Sequence, residues 1–503
     1  MAERVSPLEM TPDEFRRAGH DLVDRIAELL ATIRTRPITR GETPAEIRAL
    51  LGRRPLPTTG TDPTRLLADT VPLLIEHSLY NGHPRFMGYI TSSAAPIGIL
   101  ADAMAAAVNP NVGGWELSPI ASEIEAETVR WIAELVGYPV DCGGILVSGG
   151  NMANLVCFLT GRRAALGEEV RAAGLAGAGA TRVRVYVSQE THTWIQKAGD
   201  LFGLGTDAVR WIPTDADHRI RVDALREAIR TDRAAGDTPM MVVGAAGTVS
   251  TGAVDPIRAL SAVCREEHLW FHVDGAYGAP AAVLPDAPDD LKALALADSL
   301  AVDPHKWLYA PLEAGCVLVR DPRRLPEAFS YHAPYYHFET GGEEPPINYY
   351  ELGLQNSRGF RALKVWLGLQ QSGRDGYVRM IGDDCRLAAA LHRAASAHPE
   401  LEPLSLGLSI CTFRYVPPDL LASSEAETYL DELNEKLLER LKIGGDVFVT
   451  NALVREHFAL RACIVNFRTT DADIAMVPEL VARAGRALDA ELRPSSLRVP
   501  AAR

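Results

Sequence analysis

The chain of 503 residues carries 51 Lys+Arg against 65 Asp+Glu, a formal charge of −14, with 47% hydrophobic and 23% charged residues. These proportions exclude a chain disordered throughout and give enough length for a sizeable core, roughly three units of about 150 residues each. An acidic surface without a Lys/Arg cluster repels phosphate backbones and anionic lipid, so neither a nucleic-acid nor a membrane partner is expected.

From the N-terminus, Thr11 to Ile33 reads as an amphipathic helix with Thr11 as N-cap and Phe15, Ala18, Leu22, Ile26, Leu29 and Leu30 on one face. Pro37 and the RRPLPTTGTDP run (53–63) then break the pattern, leaving an arm of helices whose apolar stripe needs a partner. The opening residues mix both charges and lack the apolar run of a secretion signal, and no window is apolar enough to span a membrane. Seven cysteines without CxxC spacing read as reduced core residues of a cytoplasmic protein and offer no metal-binding pattern.

From Gly143 the texture becomes short apolar runs alternating with helical stretches: GILVS (144–148), VRVYVS (183–188), MMVVGA (240–245), LWFHVD (269–274), LAVD (300–303) and CVLVR (316–320). Near-continuously apolar strands imply helices on both faces and a mostly parallel sheet. AAGLAGAGA (172–180) reads as a flexible surface loop. A long helix is expected from Trp366 to about Ala397. Strand-like LSICTFRYV (408–416), helix-like 425–441 and strand-like DVFVTNALV (446–454) and ALRACIVNF (459–467) form a closing α+β unit.

Three segments carry chemistry. In GGILVSGGNMANLVCF (143–158) a strand, a Gly/Asn turn and a helix start place backbone N–H groups where a phosphate is favoured, without the pattern of a P-loop or a dinucleotide fold. In WFHVDGAYGAP (270–280), Asp274 ends a strand, where α/β folds bind ligands, and can hold a protonated ring nitrogen; alone it could equally be a turn or cap residue. In DSLAVDPHKWLYAP (298–311), Lys306 follows another strand end and can form a Schiff base, although a single such Lys usually lies on the surface. Phosphate cradle, strand-end Asp and strand-end Lys about thirty residues later together match the phosphate, pyridine nitrogen and aldehyde of pyridoxal 5′-phosphate.

With HVDGAYG and DPHKW in place, the chain resembles the group II pyridoxal-phosphate-dependent amino acid decarboxylases, which include aromatic-L-amino-acid, glutamate and histidine decarboxylases. The likeness runs from MTPDEFRRAGHDLVDRIAELL through HPRFMGYITSS to ALRACIVNFRTTDADI. It implies that Lys306 binds the cofactor aldehyde, Asp274 the ring nitrogen, and that His192 in ETHTWIQKAG stacks on the ring. Gly150 and Asn151 then fall on the phosphate loop, Asp303 and His305 flank the Lys, and Thr248 and Ala276 touch the cofactor. A Tyr in AFSYHAPYYHFETGGEEPPINYY (328–350), Tyr335 with Tyr336 as rival, corresponds to the proton donor to Cα.

Tyr89, Asn111, Gly113 and Trp194 are expected at the substrate pocket, partly through a partner subunit. Against the animal aromatic decarboxylases that the chain resembles, Gly113 stands in place of a large aromatic and Asn111 in place of an aliphatic residue, which implies a wider or more polar pocket; Trp194 either refills part of that space or is a buried structural residue. Arg358, in Asn-Ser-Arg-Gly, is either a structural residue or a cofactor contact.

The implied fold is the α/β architecture of fold-type-I pyridoxal-phosphate enzymes, a mostly parallel seven-stranded sheet with helices on both faces. The expected divisions are an N-terminal helical arm (1–90) for dimerisation, a large cofactor-binding unit (91–380) and a small C-terminal α+β unit (381–503). The implied activity is decarboxylation of an L-amino acid, aromatic first, by a homodimer with a shared active site. Oxidative deamination to an aldehyde, or a substrate such as glutamate or diaminobutyrate, are the alternatives. Retention of Lys306, Asp274 and His192 together argues against a non-catalytic scaffold.

Overall fold

The protein is described from a computed structural model that covers residues 6–180, 182–331 and 346–498. Helix Pro12–Thr32 starts where its cap predicts. The Thr11 hydroxyl accepts from the Glu14 N–H, and the Glu14 carboxylate accepts from the Thr11 N–H, so two otherwise orphaned donors are met. Helices Pro44–Leu51 and Pro63–His77 complete the arm, each with Pro at its start, where a missing N–H costs nothing. Ala18 is the buried residue of the first helix, while Phe15, Val23, Leu66 and Leu74 remain exposed.

The central sheet contains β1 (Gly143–Val147), β2 (Val183–Ser188), β3 (Val209–Ile212), β4 (Thr238–Ala245), β5 (Trp270–Asp274), β6 (Ser299–Val302) and β7 (Gly315–Val319), in spatial order β1-β7-β6-β5-β4-β2-β3. β7 runs antiparallel to β1 and β6, and the remaining pairs are parallel. The continuous apolar runs have their explanation here: β4 is buried from Met240 to Ala245 and β6 along its whole length. Each fully buried Val or Leu contributes about 2 kcal/mol of transfer free energy, which makes these strands the mechanical centre of the unit.

A second sheet closes the chain: β8 (Leu401–Gly407), β9 (Ile410–Tyr415), β10 (Thr450–Val454) and β11 (His457–Cys463), ordered β10-β11-β9-β8 and antiparallel throughout. Helices Ser424–Gly444 and Asp471–Leu492 pack with it around their own core. LSICTFRYV (408–416) holds the single strand β9, and the strand not expected is β8 just before it, paired back onto β9 because the chain reverses at Leu408, which takes the left-handed conformation (φ 48°). Residues 172–180 also differ from the expected loop. They include the helical turn Gly174–Gly177 and end on Ala180, which is buried.

The helical run Ala362–Ala397, broken at Gly373 (φ 59°), joins the two units and passes through the expected boundary at 380. Val365, Tyr377 and Ile381 enter the large core, while Leu387, Leu391 and Ala395 enter the small one. Between them Asp384 is fully packed, accepting hydrogen bonds from Trp307 Nε1 (2.9 Å) and the Tyr309 hydroxyl (2.7 Å), the residues just beyond Lys306. Burial pushes this carboxyl up to about 7.

Candidate active site

The site gathers at the ends of β1, β5 and β6. β1 gives way to a turn at Gly149, whose φ of 96° demands glycine, and the helix Gly150–Leu166 begins at once with no side chain capping it. Its first N–H groups are thus left for an anion. The turn sits tightly against the next strand's exit: a Cβ on Gly150 would stand 2.5 Å from Asp303 Oδ2 and 3.2 Å from the Ala276 Cβ. After β6, Asp303 is buried, and the short helix Pro304–Trp307 swings Lys306 Nζ to 3.0 Å from Asp303 Oδ2. Ser92 anchors this turn by donating to the carbonyl of His305 (2.9 Å).

Asp274 ends β5, paired with Ala245 of β4 and Ala301 of β6. Its Oδ1 accepts the Ala276 N–H (3.2 Å), and its Oδ2 accepts the Trp194 indole N–H (2.8 Å). Thr248 is tied to Thr251 (Oγ1 to Oγ1, 3.0 Å) and accepts the Ala253 N–H (3.1 Å). His192 Nδ1 accepts the Trp194 backbone N–H (3.3 Å), which puts the proton of the neutral ring on Nε2. Desolvation holds the His192 pKa below its ordinary value, outweighing the opposing pull of Asp274, and burial does the same at His305 against Asp303. Both imidazoles are thereby shifted toward the neutral form.

These side chains line one cavity of about 320 Å³, which brings together every cofactor-binding residue expected from the sequence: Lys306, Asp274, His192, Gly150, Asn151, Thr248, Ala276, Asp303 and His305. A larger cleft of about 960 Å³, walled by Ile120, Pro322 and Trp366, holds none of these groups. Sequence reasoning missed Glu190, Thr191 and Asn154 in the cavity wall. Asn154 had a signal, since it lies four residues after Gly150 on the same helix face. Its Oδ1 is 2.7 Å from Nε2 of buried His272.

The expected substrate-pocket residues are placed differently. Trp194 is fully buried behind Asp274 and lines no part of the cavity, which corrects its placement in the substrate pocket and leaves the buried structural reading. Asn111 and Gly113 are also absent from the cavity wall. The Asn111 amide oxygen is committed to the backbone N–H groups of Gly113 (3.1 Å) and Arg358 (3.0 Å), and a Cβ on Gly113 would collide with the Asn356 carbonyl oxygen. Within this chain the glycine therefore serves backbone approach, not pocket width. Tyr89 is 57% exposed, and its neighbour Ile90 lines the cavity instead. Arg358 is structural: it is buried, binds the carbonyls of Val112 (2.7 Å) and Leu146 (2.6 Å), and pairs with Glu125. Tyr335 lies outside the described residues.

The residues present fit pyridoxal phosphate. The uncapped helix start suits its phosphate, Asp274 its ring nitrogen, His192 its ring face and Lys306 its aldehyde. Asp303 Oδ1 and Thr191 Oγ1, on two residues of the cavity wall, are buried without a hydrogen-bond partner among the described residues. No cluster of metal-binding side chains occurs among the described residues, and none of their helices is long and apolar enough to cross a membrane.

A mixed seven-stranded sheet with a Lys beyond one strand end, an Asp on the next and an anion-binding helix start beside them defines a fold-type-I pyridoxal-phosphate enzyme. The pyridoxal-dependent decarboxylase conserved domain matches residues 50–415. An aromatic-L-amino-acid decarboxylase of Bacillus atrophaeus is 32% identical over 473 residues, covering 93% of this chain and 95% of that protein. A phenylacetaldehyde synthase of Petunia hybrida is 28% identical over 468 residues, covering 90% and 91%. The crystal structure of Oryza sativa TDC with PLP and tryptamine matches with a TM-score of 0.88 at 26% identity, over 96% of this chain and 100% of that one. The chain belongs to the pyridoxal-dependent decarboxylase family and is a carboxy-lyase that uses pyridoxal phosphate.

Proposed function

We propose that this enzyme removes the carboxylate of an aromatic L-amino acid, giving the amine and carbon dioxide. The convergence of Lys306, Asp274 and His192 on one cavity beside an uncapped helix start carries this reading, and the Bacillus atrophaeus relative favours an aromatic side chain. Bound with its ring nitrogen protonated, pyridoxal phosphate supplies an electron sink for the pair left at Cα when the carboxylate departs.

The chain's own groups do the rest. Asp303 balances the Lys306 ammonium from 3.0 Å and keeps that side chain at the aldehyde's place. Asp274, held by two N–H donors, presents a carboxylate to the ring nitrogen. His192, biased toward its neutral form by desolvation, would supply a flat face for stacking on the ring. Thr248, Ala276 and His305 close the walls around it, with Gly150 and Asn151 at the phosphate. A substrate held with its Cα–carboxylate bond perpendicular to the ring would lose carbon dioxide in preference to competing cleavages. Tyr335 would be the group that returns a proton to Cα.

The finer reading is a cytoplasmic homodimer with a shared site, to which Tyr89, Asn111 and Gly113 contribute across the interface. The exposed apolar residues of the arm and seven free cysteines support it. Sedimentation equilibrium should give a mass near twice 54.5 kDa, with activity lost on dilution to the monomer.

The deciding experiment is a mass-spectrometric product assay of the cofactor-loaded enzyme with aromatic L-amino acids, following carbon dioxide, oxygen and hydrogen peroxide. Amine and carbon dioxide without peroxide are expected. Aldehyde with peroxide would overturn the reading in favour of oxidative deamination, and turnover confined to glutamate or diaminobutyrate would overturn the aromatic assignment. Tyr335→Phe should retain cofactor binding while diverting product toward aldehyde; unchanged amine output would move the proton donor elsewhere, with Tyr336 next.

A further inference from the structure

Trp194 touches both groups that flank the ring position, through two different donors. Its backbone N–H binds His192 Nδ1 (3.3 Å), and its indole N–H binds Asp274 Oδ2 (2.8 Å). The residue is fully buried at the start of helix Trp194–Leu201. Its ring stands edge-on to Phe158 (centroids 6.4 Å apart, 77°) and to His272 (5.7 Å, 87°). His272 is immobilised in turn, with Nε2 on Asn154 Oδ1 (2.7 Å) and Nδ1 on Ser299 Oγ (2.9 Å). The indole is thus wedged against a wall that cannot yield, and its N–H has one direction to point.

From this geometry we infer that Trp194 is a positioning residue for cofactor binding: its indole N–H fixes the plane of the Asp274 carboxylate so that the remaining lone pairs meet the ring N–H of pyridoxal phosphate. The inference rests on the reading of Asp274 as the ring-nitrogen partner. A carboxylate offers about four acceptor sites, of which Trp194 and Ala276 use one on each oxygen, so capacity for a third donor remains. With the Ala276 donor alone, at 3.2 Å, the carboxylate has one weaker restraint against rotation. Losing a correctly aimed charged hydrogen bond weakens binding by about tenfold.

The test measures pyridoxal phosphate affinity by absorbance titration of the apoprotein, with no catalytic readout. Two replacements at 194 are compared. One is Trp194→Phe. The other is site-specific incorporation of 3-benzothienylalanine, which keeps the ring's shape and exchanges N–H for sulfur, so that a folding failure of the first variant leaves the second decisive. Each is made alone and together with Asp274→Ala. The expected result is about tenfold weaker binding with Asp274 present and less than about twofold further change with Asp274→Ala, a coupling that packing alone does not produce. Equal losses in both backgrounds, or unchanged affinity with the sulfur analogue, overturn the role of Trp194. Unchanged affinity on Asp274→Ala by itself overturns the reading of Asp274, and the two failures are thereby told apart.

Discussion

Two carboxylates, one lining the cavity that Lys306 enters and one bonded to the residues just beyond Lys306, are built on opposite plans. Asp274 stands at the cavity wall, half-buried, with one N–H donor on each oxygen and acceptor capacity left over. Asp384 lies behind the segment in the seam between the two cores, completely packed, with Trp307 and Tyr309 bound to the same oxygen and the Asn466 N–H near the other (3.4 Å). The first is oriented for a ligand. The second is a clasp that holds the backbone on which Lys306 sits, and burial keeps its proton to about pH 7.

The largest test of this division is Asp274→Ala, which should weaken pyridoxal phosphate binding by about a hundredfold, measured by absorbance titration. It should destabilise the apoprotein in chemical denaturation less than Asp384→Ala does, since the buried side-chain donor it strands is the Trp194 indole N–H alone. A loss of stability as large as that of Asp384→Ala would erase the distinction. Next comes Asp384→Ala, which strands the Trp307 N–H and Tyr309 O–H in the core. Two buried donors left unmet cost about 2–4 kcal/mol, read as a lower urea midpoint. The smallest effect is a pH dependence. Because the folded pKa of Asp384 is raised, the folded chain keeps a proton that the unfolded chain gives up near pH 4. The stability this confers is complete below that pH and is drawn down as pH rises toward about 7. Asp384→Asn cannot ionise, so its stability relative to wild type should climb between about pH 4 and 7 and then level off. A flat difference across that range would mean that Asp384 is already ionised in the fold.

Much of the cavity side was legible in the sequence. Asp274 and Lys306 could be placed because apolar runs mark where buried strands stop, and parallel sheets put ligands at those stops. The clasp side was not legible, since Asp384 meets Trp307 across 77 residues and no local pattern links them. The same holds for Asn111 and Arg358, 247 residues apart. β3 escaped notice because it is four residues long and carries half-exposed Arg210 and exposed Trp211. Trp194 was misplaced for a geometric reason: it follows His192 by two residues, but the helix that begins there turns its side chain inward while His192 lines the cavity.

The collision awaiting any side chain at Gly113 bears on how this enzyme can be evolved. A saturation library at that position should return glycine, because the Asn356 carbonyl occupies the only space a Cβ could take and Asn111 pins the same turn to Arg358. Selection for new substrates therefore has to work through positions whose side chains already meet the cavity and carry no scaffold duty. Thr191, with its hydroxyl unpaired among the described residues, is the most economical place to begin.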